Sequence, residues 1–195
     1  MHKLLLDIPS HFESERLHMR SYRAGDGPLY YAVSRRNVEH LARYESGNVI
    51  MQIKNEEDAE ITVRDLAADW VARHSFFLGA FGKQDEHFVA QVFVGPVNWD
   101  LPEFQIGFFV DKDHEGRGYM TEAVKATLGF VFHHLGAHRV SAECDDTNAR
   151  SIRVLERCGM VKEGNLRENK RNADGTISGT LQYGLLKQEF DDLQR

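Results

Sequence analysis

The 195-residue chain lacks several features that mark particular classes of protein. Its two cysteines, Cys144 and Cys158, are too few for a disulfide framework and do not have a metal-type spacing, so reduced core thiols are expected. No stretch approaches the roughly 20 apolar residues that a membrane span needs, and Asp7 ends the short apolar run near the N-terminus. These absences predict a cytoplasmic protein with no membrane segment.

Excess positive charge and linker-like sequence are also scarce. The formal net charge is -6, and no cluster of Lys and Arg provides the basic face that nucleic-acid binding needs. His133 and His134 are adjacent but have no further ligands at metal-type spacing, so no metal is expected. The chain contains no internal repeat or Pro-rich linker, and 42% of it is hydrophobic. Residues 1–195 are therefore predicted to form a single domain.

Hydrophobic periodicity predicts strands and helices in an order typical of an α/β fold. Strands are expected at 16–20, 76–81, 88–94, 104–110, 139–144, 160–166 and 181–186. Helices are expected near 26–44, 55–74, 117–136 and 148–159, and a turn at 172–175. The strand, helix and strand between 104 and 144 indicate a crossover between neighbouring strands of one sheet.

Two short segments carry residues suited to a ligand site. Gly116 and Gly118 flank Arg117 where a helix must begin, and glycine lets free amides of the first helical turn approach a pyrophosphate. A strand-to-helix turn without a ligand has the same pattern and is the alternative. Asn148 and Ser151 occupy the N-cap and third position of the next helix, where they either cap it or face a ligand. Because both helices follow neighbouring strands, their N-termini are expected at one edge of the sheet.

In order and spacing these segments resemble the GCN5-related N-acetyltransferase superfamily, and within it the ribosomal-protein N-terminal acetyltransferase group. The resemblance covers most of the chain through 12–20, 106–110, 116–123, Asn148, Ser151, 154–160 and 163–164. It implies a mixed, bent and splayed central sheet flanked by helices on both faces, with acetyl-CoA as donor. Relatives are often homodimers. The chain departs from the superfamily's usual residues at Gln105, Asp113 and Gly179.

The resemblance also assigns residues to the donor site. These are Phe108, Phe109, Val110, Glu115, Gly116, Arg117, Gly118, Tyr119, Met120, Thr121, Asn148 and Ser151. The amides from Glu115 to Met120 would hold the CoA pyrophosphate. The pantetheine arm would lie between the strand at 108–110 and the strand that ends near Cys144, which splay apart. The first two helices would shape the acceptor site.

The implied chemistry is direct attack of a primary amine on the thioester, because positioning supplies much of the rate without a covalent intermediate. Ser151 would orient or protonate the departing thiolate. Glu103 is the first candidate for the base, and Glu143 and Asp145 are alternatives. The acceptor stays open between a protein N-terminal amine and a polyamine, amino acid or antibiotic. A non-catalytic acyl-CoA-binding module and an unrelated nucleotide-binding protein stay as alternatives of other classes.

Overall fold

The structure, a computed structural model, describes residues 2–172 and 174–195. Met1 and Ala173, the latter within the predicted turn at 172–175, lie outside the described residues. The strands are β1 (His11–Glu13), β2 (Leu17–Ser21), β3 (Phe76–Gly82), β4 (Phe88–Asn98), β5 (Glu103–Val110), β6 (Arg139–Asp145), β7 (Val161–Arg171) and β8 (Ile177–Leu186). The α-helices are α1 (Gly27–Leu41), α2 (Glu56–Ala72), α3 (Tyr119–His134), α4 (Ala149–Arg157) and α5 (Lys187–Leu193).

All these strands belong to one sheet, in the order β1-β2-β3-β4-β5-β6-β8-β7. Strands β5 and β6 are parallel, whereas every other neighbouring pair is antiparallel. A parallel pair needs a crossover connection, and α3 provides it between β5 and β6. The predicted strand-helix-strand crossover is therefore present.

The parallel pair separates half-way along its length. The ladder runs from Glu103 opposite Arg139 to Ile106 opposite Ala142, and then stops. Beyond that point β5 keeps only its partner β4, as far as Val110. Strand β6 likewise keeps only β8. The sheet is therefore mixed and splayed, as predicted, and it opens between the carboxyl ends of β5 and β6.

Helices cover both faces of the sheet, so each face carries a core. Strand β5 contributes to both cores, because successive side chains of a strand point to opposite faces. One core packs Phe104 and Ile106 with Val124 and Leu128 of α3. The other core packs Phe109 with buried residues of α1 and α2, such as Tyr30, Val33, Val63 and Leu66. The segment that links α1 to α2 lies at the edge of this second core.

The helix bounds differ from the prediction at three places. Helix α1 ends at Leu41 rather than near residue 44. Helix α3 begins at Tyr119 because Gly118, with a φ of 78°, is left-handed and cannot belong to the helix. Helix α5 was not predicted, since seven residues with Phe190 as their buried member are too short for a clear periodicity. Across the described residues, no helix is both long and apolar enough to cross a membrane.

Candidate active site

The loop between β5 and α3 presents a run of free main-chain amides. Gly116 and Gly118 have φ angles of 73° and 78°, in the left-handed region that favours glycine, and both are exposed. No side chain caps α3, and its first hydrogen bond runs from the Glu122 amide to the Gly118 carbonyl at 3.2 Å. Within the described chain, no amide from 115 to 121 donates a hydrogen bond to another group. This segment, which we call the amide loop, is suited to bind an anion.

Asp111 fixes the start of the amide loop to α1. Its side chain is fully buried, and its Oδ2 accepts hydrogen bonds from Arg36 Nη2 at 2.6 Å and Asn37 Nδ2 at 2.9 Å. Burial raises the pKa of this carboxyl, but the hydrogen bonds from Arg36, Asn37 and the Asp113 amide hold it below its usual value. The Lys112 amide donates to Asn37 Oδ1 at 2.9 Å. The loop is therefore tied to the helix by a charged, buried contact.

Arg16 fixes the other end of the amide loop. Its Nε lies 2.6 Å from Oε2 of Glu122, and its Nη1 donates to the Arg117 carbonyl at 3.1 Å. The guanidinium also lies 4.2 Å from the centre of the Tyr119 ring. Glu122 stands in the first turn of α3, where an unpaired carboxylate would repel a bound phosphate. Arg16 neutralises that charge, and the Arg117 side chain stays exposed beside the amides.

A polar cleft of about 280 Å³ opens where β5 and β6 diverge. The predicted residues Phe108, Asn148 and Ser151 line it together with Cys144, so the structure brings them to one place. The Ser151 amide donates to Asn148 Oδ1 at 3.2 Å, which means that Asn148 caps α4 as well as lining the cleft. The side chain of the predicted Met120 is buried in the core, so this residue offers the site its main-chain amide, as the resemblance implied.

Both predicted alternative bases, Glu143 and Asp145, also line the polar cleft. Asp145 is heavily engaged, because its Oδ2 accepts from Ser178 Oγ at 2.5 Å and its Oδ1 from Thr147 Oγ1 at 2.6 Å. Burial raises the pKa of Asp145, but these hydrogen bonds outweigh burial and lower it below the usual value. Asp145 is therefore a weak proton acceptor. Burial likewise raises the pKa of the Cys144 thiol to about 11, so the thiol is neutral near pH 7.

The structure does not bring Glu103 to the other predicted residues. Glu103 begins β5, whereas the polar cleft starts at the other end of the paired stretch, next to Gly107. At about 3.3 Å per residue, the two positions are on the order of 13 Å apart along the strand. The Glu103 carboxylate accepts instead from Arg139 Nε at 3.0 Å, and Arg139 also pairs with Glu163. Glu103 and the cleft lie at opposite ends of β5, and the length of the strand separates them.

A second cavity, of about 490 Å³, lies on the other side of β5, beneath the segment that follows α1. Phe77, Phe93 and Phe109 line it, so we call it the aromatic cavity. It shares with the polar cleft the residues Tyr44, Glu45, Gly107 and Phe108. The two cavities therefore meet at the splayed half of β5.

Glu45 is a candidate site residue that the sequence did not reveal. It is half-buried at the junction of the two cavities. Burial raises the pKa of its carboxyl above the usual value, with partial offsets from a hydrogen bond to Asn48 and the charge of Lys170. Glu45 stands in irregular chain between α1 and α2, in no motif, and only the packing of α1 on the sheet carries it to the site.

Comparison with known proteins agrees with this geometry. The family described as Acetyltransferase (GNAT) domain matches residues 16–161, more than half of the chain, and this range includes the amide loop and Ser151. The chain belongs to the GNAT acetyltransferase family. The probable N-acetyltransferase YjcK of Bacillus subtilis (strain 168) is 38% identical over 95 residues, which are 48% of this chain and 52% of that protein. The GNAT chain thus spans about half the length of the curated relatives it matches.

Solved GNAT structures share the fold along nearly the whole chain. The ribosomal-protein-S5-alanine acetyltransferase from Vibrio fischeri superposes with a TM-score of 0.79 at 20% identity, covering 93% of this chain and 99% of that one. The ribosomal L7/L12 alpha-N-protein acetyltransferase RimL, solved in complex with coenzyme A, has a TM-score of 0.78 at 16% identity. That match covers 92% of this chain and 97% of RimL. These likenesses confirm the predicted fold, as the family match confirms the predicted family.

The GNAT chain has its own structural reason for one departure from the superfamily pattern. A Cβ at Gly179 would lie 2.8 Å from the Leu166 carbonyl oxygen and 2.5 Å from an Asp146 carboxylate oxygen. A larger residue at this position would therefore need the backbone to move. Asp113, another departure, has its Oδ2 3.8 Å from Arg36 Nε at the border of the amide loop. Gln105 lies on β5 between Gly95 and Ser141, outside both cavities.

Proposed function

We propose that this GNAT chain transfers an acetyl group from acetyl-CoA to a primary amine by direct attack. The observation that carries the proposal is the continuity of two features at the end of β5. The amide loop follows β5 after residues 111–114, and the polar cleft lies along the unpaired edge of β5 at Gly107 and Phe108. A ligand with a diphosphate and a narrow arm fits this arrangement. RimL, a protein of the same fold, was solved with coenzyme A.

The chain's own groups supply the donor contacts. Amides from 115 to 121 are free to hold a pyrophosphate, and the exposed Arg117 side chain and the Thr121 hydroxyl stand beside them. The arm would enter between Phe108 and Asn148 and end near Ser151. Main-chain groups of 107–110 on the side facing β6 have no strand partner there, so the amides of Phe108 and Val110 are available to polarise a carbonyl.

Acetyl-CoA supplies a thioester whose carbonyl carbon an amine can attack. The nitrogen–carbon bond forms and the carbon–sulfur bond breaks. The departing sulfur takes a proton from the Ser151 hydroxyl, which regains one from the attacking nitrogen, or from water that is reprotonated in the same way. We assign the removal of a proton from the incoming ammonium to Glu45 rather than to Glu103. Glu45 lines both cavities, and burial raises its pKa toward the range in which a carboxylate accepts protons well. Glu143 is the remaining acid of the cleft.

Three expectations from the sequence have no observation that tests them and stay predictions. They are the single domain over residues 1–195, the cytoplasmic location and the homodimer. The class of acceptor is also open at this level, since the relatives act on different amines according to their names. A protein N-terminal amine is the acceptor that the ribosomal-protein relatives favour.

A thiol-release assay tests the proposed function. Purified protein is given acetyl-CoA with each of a panel of amines, free CoA thiol is measured, and mass spectrometry identifies the product. We expect thiol release that depends on an amine, and an amine that gains one acetyl group. Binding of CoA without release for any amine would favour the non-catalytic module. Competition in which ATP or NAD displaces CoA would favour the unrelated nucleotide-binding protein.

A further inference from the structure

The aromatic cavity has a floor of aromatic rings on neighbouring strands. Phe77 on β3 pairs with Phe93 on β4, which in turn pairs with Gly107 on β5. The two phenyl rings have their centres 4.9 Å apart at an interplanar angle of 52°. A Cβ at Gly95 would lie 2.6 Å from Cζ of Phe93, so the glycine lets this ring lie flat over the strand. Phe109 adds a buried ring beside them.

Gln91 supplies a polar group to this otherwise apolar floor. Its side chain is 2% exposed, and its Oε1 accepts from the hydroxyls of Tyr22 at 2.9 Å and Tyr30 at 3.0 Å. Burial raises the pKa of both phenols, so both hydroxyls stay protonated donors. The two bonds fix the carboxamide with its oxygen toward the tyrosines. Its amide nitrogen, which donates to no group of the described chain, is left for a ligand in the cavity.

The charge of the aromatic cavity is concentrated at one place. Among the described residues that line it, Glu45 is the one acid, and no lysine or arginine lines it. Tyr44 and Phe108 stand with Glu45 at the junction with the polar cleft. A carboxylate beside aromatic rings is a favourable place for an ammonium group. This junction is also where the thioester would meet the acceptor.

We propose that the aromatic cavity is the acceptor site and takes a monoamine, a single primary ammonium on an apolar body of about aromatic size. This inference rests on the proposed function of the chain. The ammonium pairs with Glu45 at the junction, and the apolar body lies against Phe77, Phe93 and Phe109. The volume of about 490 Å³ falls in the range of about 300–1,000 Å³ that small-molecule pockets occupy.

The same features disfavour the other acceptors that the sequence left open. A polyamine would place its second ammonium inside the cavity away from Glu45, where no second carboxylate lines the wall to pair with it. A peptide that begins with a small residue such as alanine would leave the aromatic floor uncovered and gain little apolar contact. The free carboxamide nitrogen of Gln91 would suit an acceptor body that carries one hydroxyl or ether oxygen.

The test compares three amines on the full chain: phenethylamine, spermidine and a tetrapeptide that begins with alanine. Binding is measured by calorimetry in the presence of CoA, which cannot donate an acetyl group, and transfer is measured separately by thiol release. We expect phenethylamine to bind at least about tenfold more tightly than either of the others, a difference of about 1.4 kcal/mol. Equal or tighter binding of spermidine or the peptide would overturn the inference.

Two substitutions localise the site. Phe77→Ala should weaken phenethylamine binding about tenfold or more, and Phe12→Ala is the matched control. Phe12 is a half-buried phenylalanine of the same sheet, but it stacks on Phe130 in the opposite core. Thermal melting checks that both variants fold. Equal phenethylamine affinity in the two variants would contradict the assignment.

A third variant keeps the test sharp if Phe77→Ala does not fold. Val49→Asp, at the start of the short 3-10 helix Val49–Gln52 in the wall of the cavity, adds a second carboxylate there. It should raise spermidine affinity relative to phenethylamine by about fivefold or more, and an unchanged ratio would count against the site. Transfer to spermidine alone would leave the proposed function standing and end this inference. Binding of phenethylamine without transfer to any amine would leave this inference standing and contradict the proposed function.

Discussion

The two cavities that meet at the splayed half of β5 are built from different parts of the chain. The amide loop consists of main-chain groups from one short stretch, and the predicted cleft residues Asn148 and Ser151 stand at the N-terminus of one helix. The aromatic cavity consists of side chains from β3, β4, β5 and the segment after α1. A site made of main-chain groups needs only a local conformation, whereas a site made of side chains needs several distant elements in register.

This difference matters for what each site recognises. Free amides bind the diphosphate that every acyl-CoA carries, so that side can stay unchanged while the acceptor changes. Side chains on a sheet face can be replaced one at a time without altering the backbone, so the aromatic cavity is where specificity for the amine can vary. Asp111 and Glu45 connect the two sides, the first through α1 and the second at the junction.

The largest expected effect is a loss of CoA affinity when the amide loop alone is blocked. Gly118→Trp should lower CoA affinity at least about 1,000-fold, or about 4 kcal/mol, because the indole would cover the free amides. A Cβ there would meet only Arg16 Nη2 at 3.6 Å, so the chain should still fold. Gly136→Trp is the control, since Gly136 follows the other end of α3 with a φ of 67° and open space around it. Both variants carry similar strain, roughly 1–2 kcal/mol. Calorimetry that gave them the same CoA affinity would remove the amide loop from the donor site.

A smaller effect, on the free energy of unfolding, is expected when the contact between Asp111 and Arg36 of α1 is removed. Asp111→Asn leaves Arg36 with a weaker buried partner, and we expect the free energy of unfolding to fall by about 2–3 kcal/mol. Asp113→Asn is the control, because this exposed acid lies 3.8 Å from the same guanidinium and should change stability by under about 0.5 kcal/mol. Urea unfolding near pH 7 measures both. Equal losses would show that the Asp111 contact contributes no more than a surface pair.

The pH dependence of this loss has a definite sign. The native pKa of Asp111 is held below its usual value, so its stabilising contribution is present above the unfolded pKa of about 3.9. That contribution is lost as the pH falls through the native pKa. The difference in unfolding free energy between the natural chain and Asp111→Asn should therefore shrink below about pH 4. A difference that grew on acidification would reverse the assignment.

The sequence could predict the geometry of the amide loop and of the Asn148 cap because each of these parts is local. Gly116 and Gly118 mark the loop, Asn148 marks a helix N-terminus, and strand-helix-strand order places both at one sheet edge. The sequence could not predict Glu45 or the aromatic cavity, because their positions depend on how α1 packs on β3, β4 and β5. Phe77 and Phe93 have the apolar pattern of any core residue, and nothing in their neighbours indicates that one side of each ring is open.

The interpretation of Glu103 shows a different limit. The sequence placed this residue just before the central strand, whereas it is the first residue of β5, and it placed the amide loop beyond the other end of that strand. An eight-residue strand spans on the order of 23 Å at about 3.3 Å per residue, so both could not belong to one compact site. The strand length was available in the sequence, and it would have directed the search for a base toward acids near the loop end.

A moderate effect should separate turnover from binding within the polar cleft. Ser151→Ala should slow turnover about 10- to 100-fold, or about 1.4–2.7 kcal/mol, because the leaving sulfur loses a proton donor. CoA affinity should change by less than about twofold, since Asn148 bonds the main-chain amide of residue 151 and not its hydroxyl. Ser141→Ala on β6, where the hydroxyl lies 3.4 Å from the Phe104 carbonyl, is the control. Turnover that stayed at the natural level would exclude Ser151 from the mechanism.

The smallest effect is expected at a carboxylate outside both cavities. Glu103→Gln should leave turnover within about twofold and cost less than about 1 kcal/mol of stability, because Arg139 keeps its pair with Glu163 at 2.5 Å.

Glu45→Gln is the matched comparison and should instead lower kcat/KM about 100-fold and remove the acidic limb of the pH–rate profile. That limb reflects loss of the carboxylate as the pH falls through a pKa that burial raises. A profile that lost its acidic limb in Glu103→Gln and kept it in Glu45→Gln would return the base to the far end of β5, and would mean that proton removal occurs away from the junction of the two cavities.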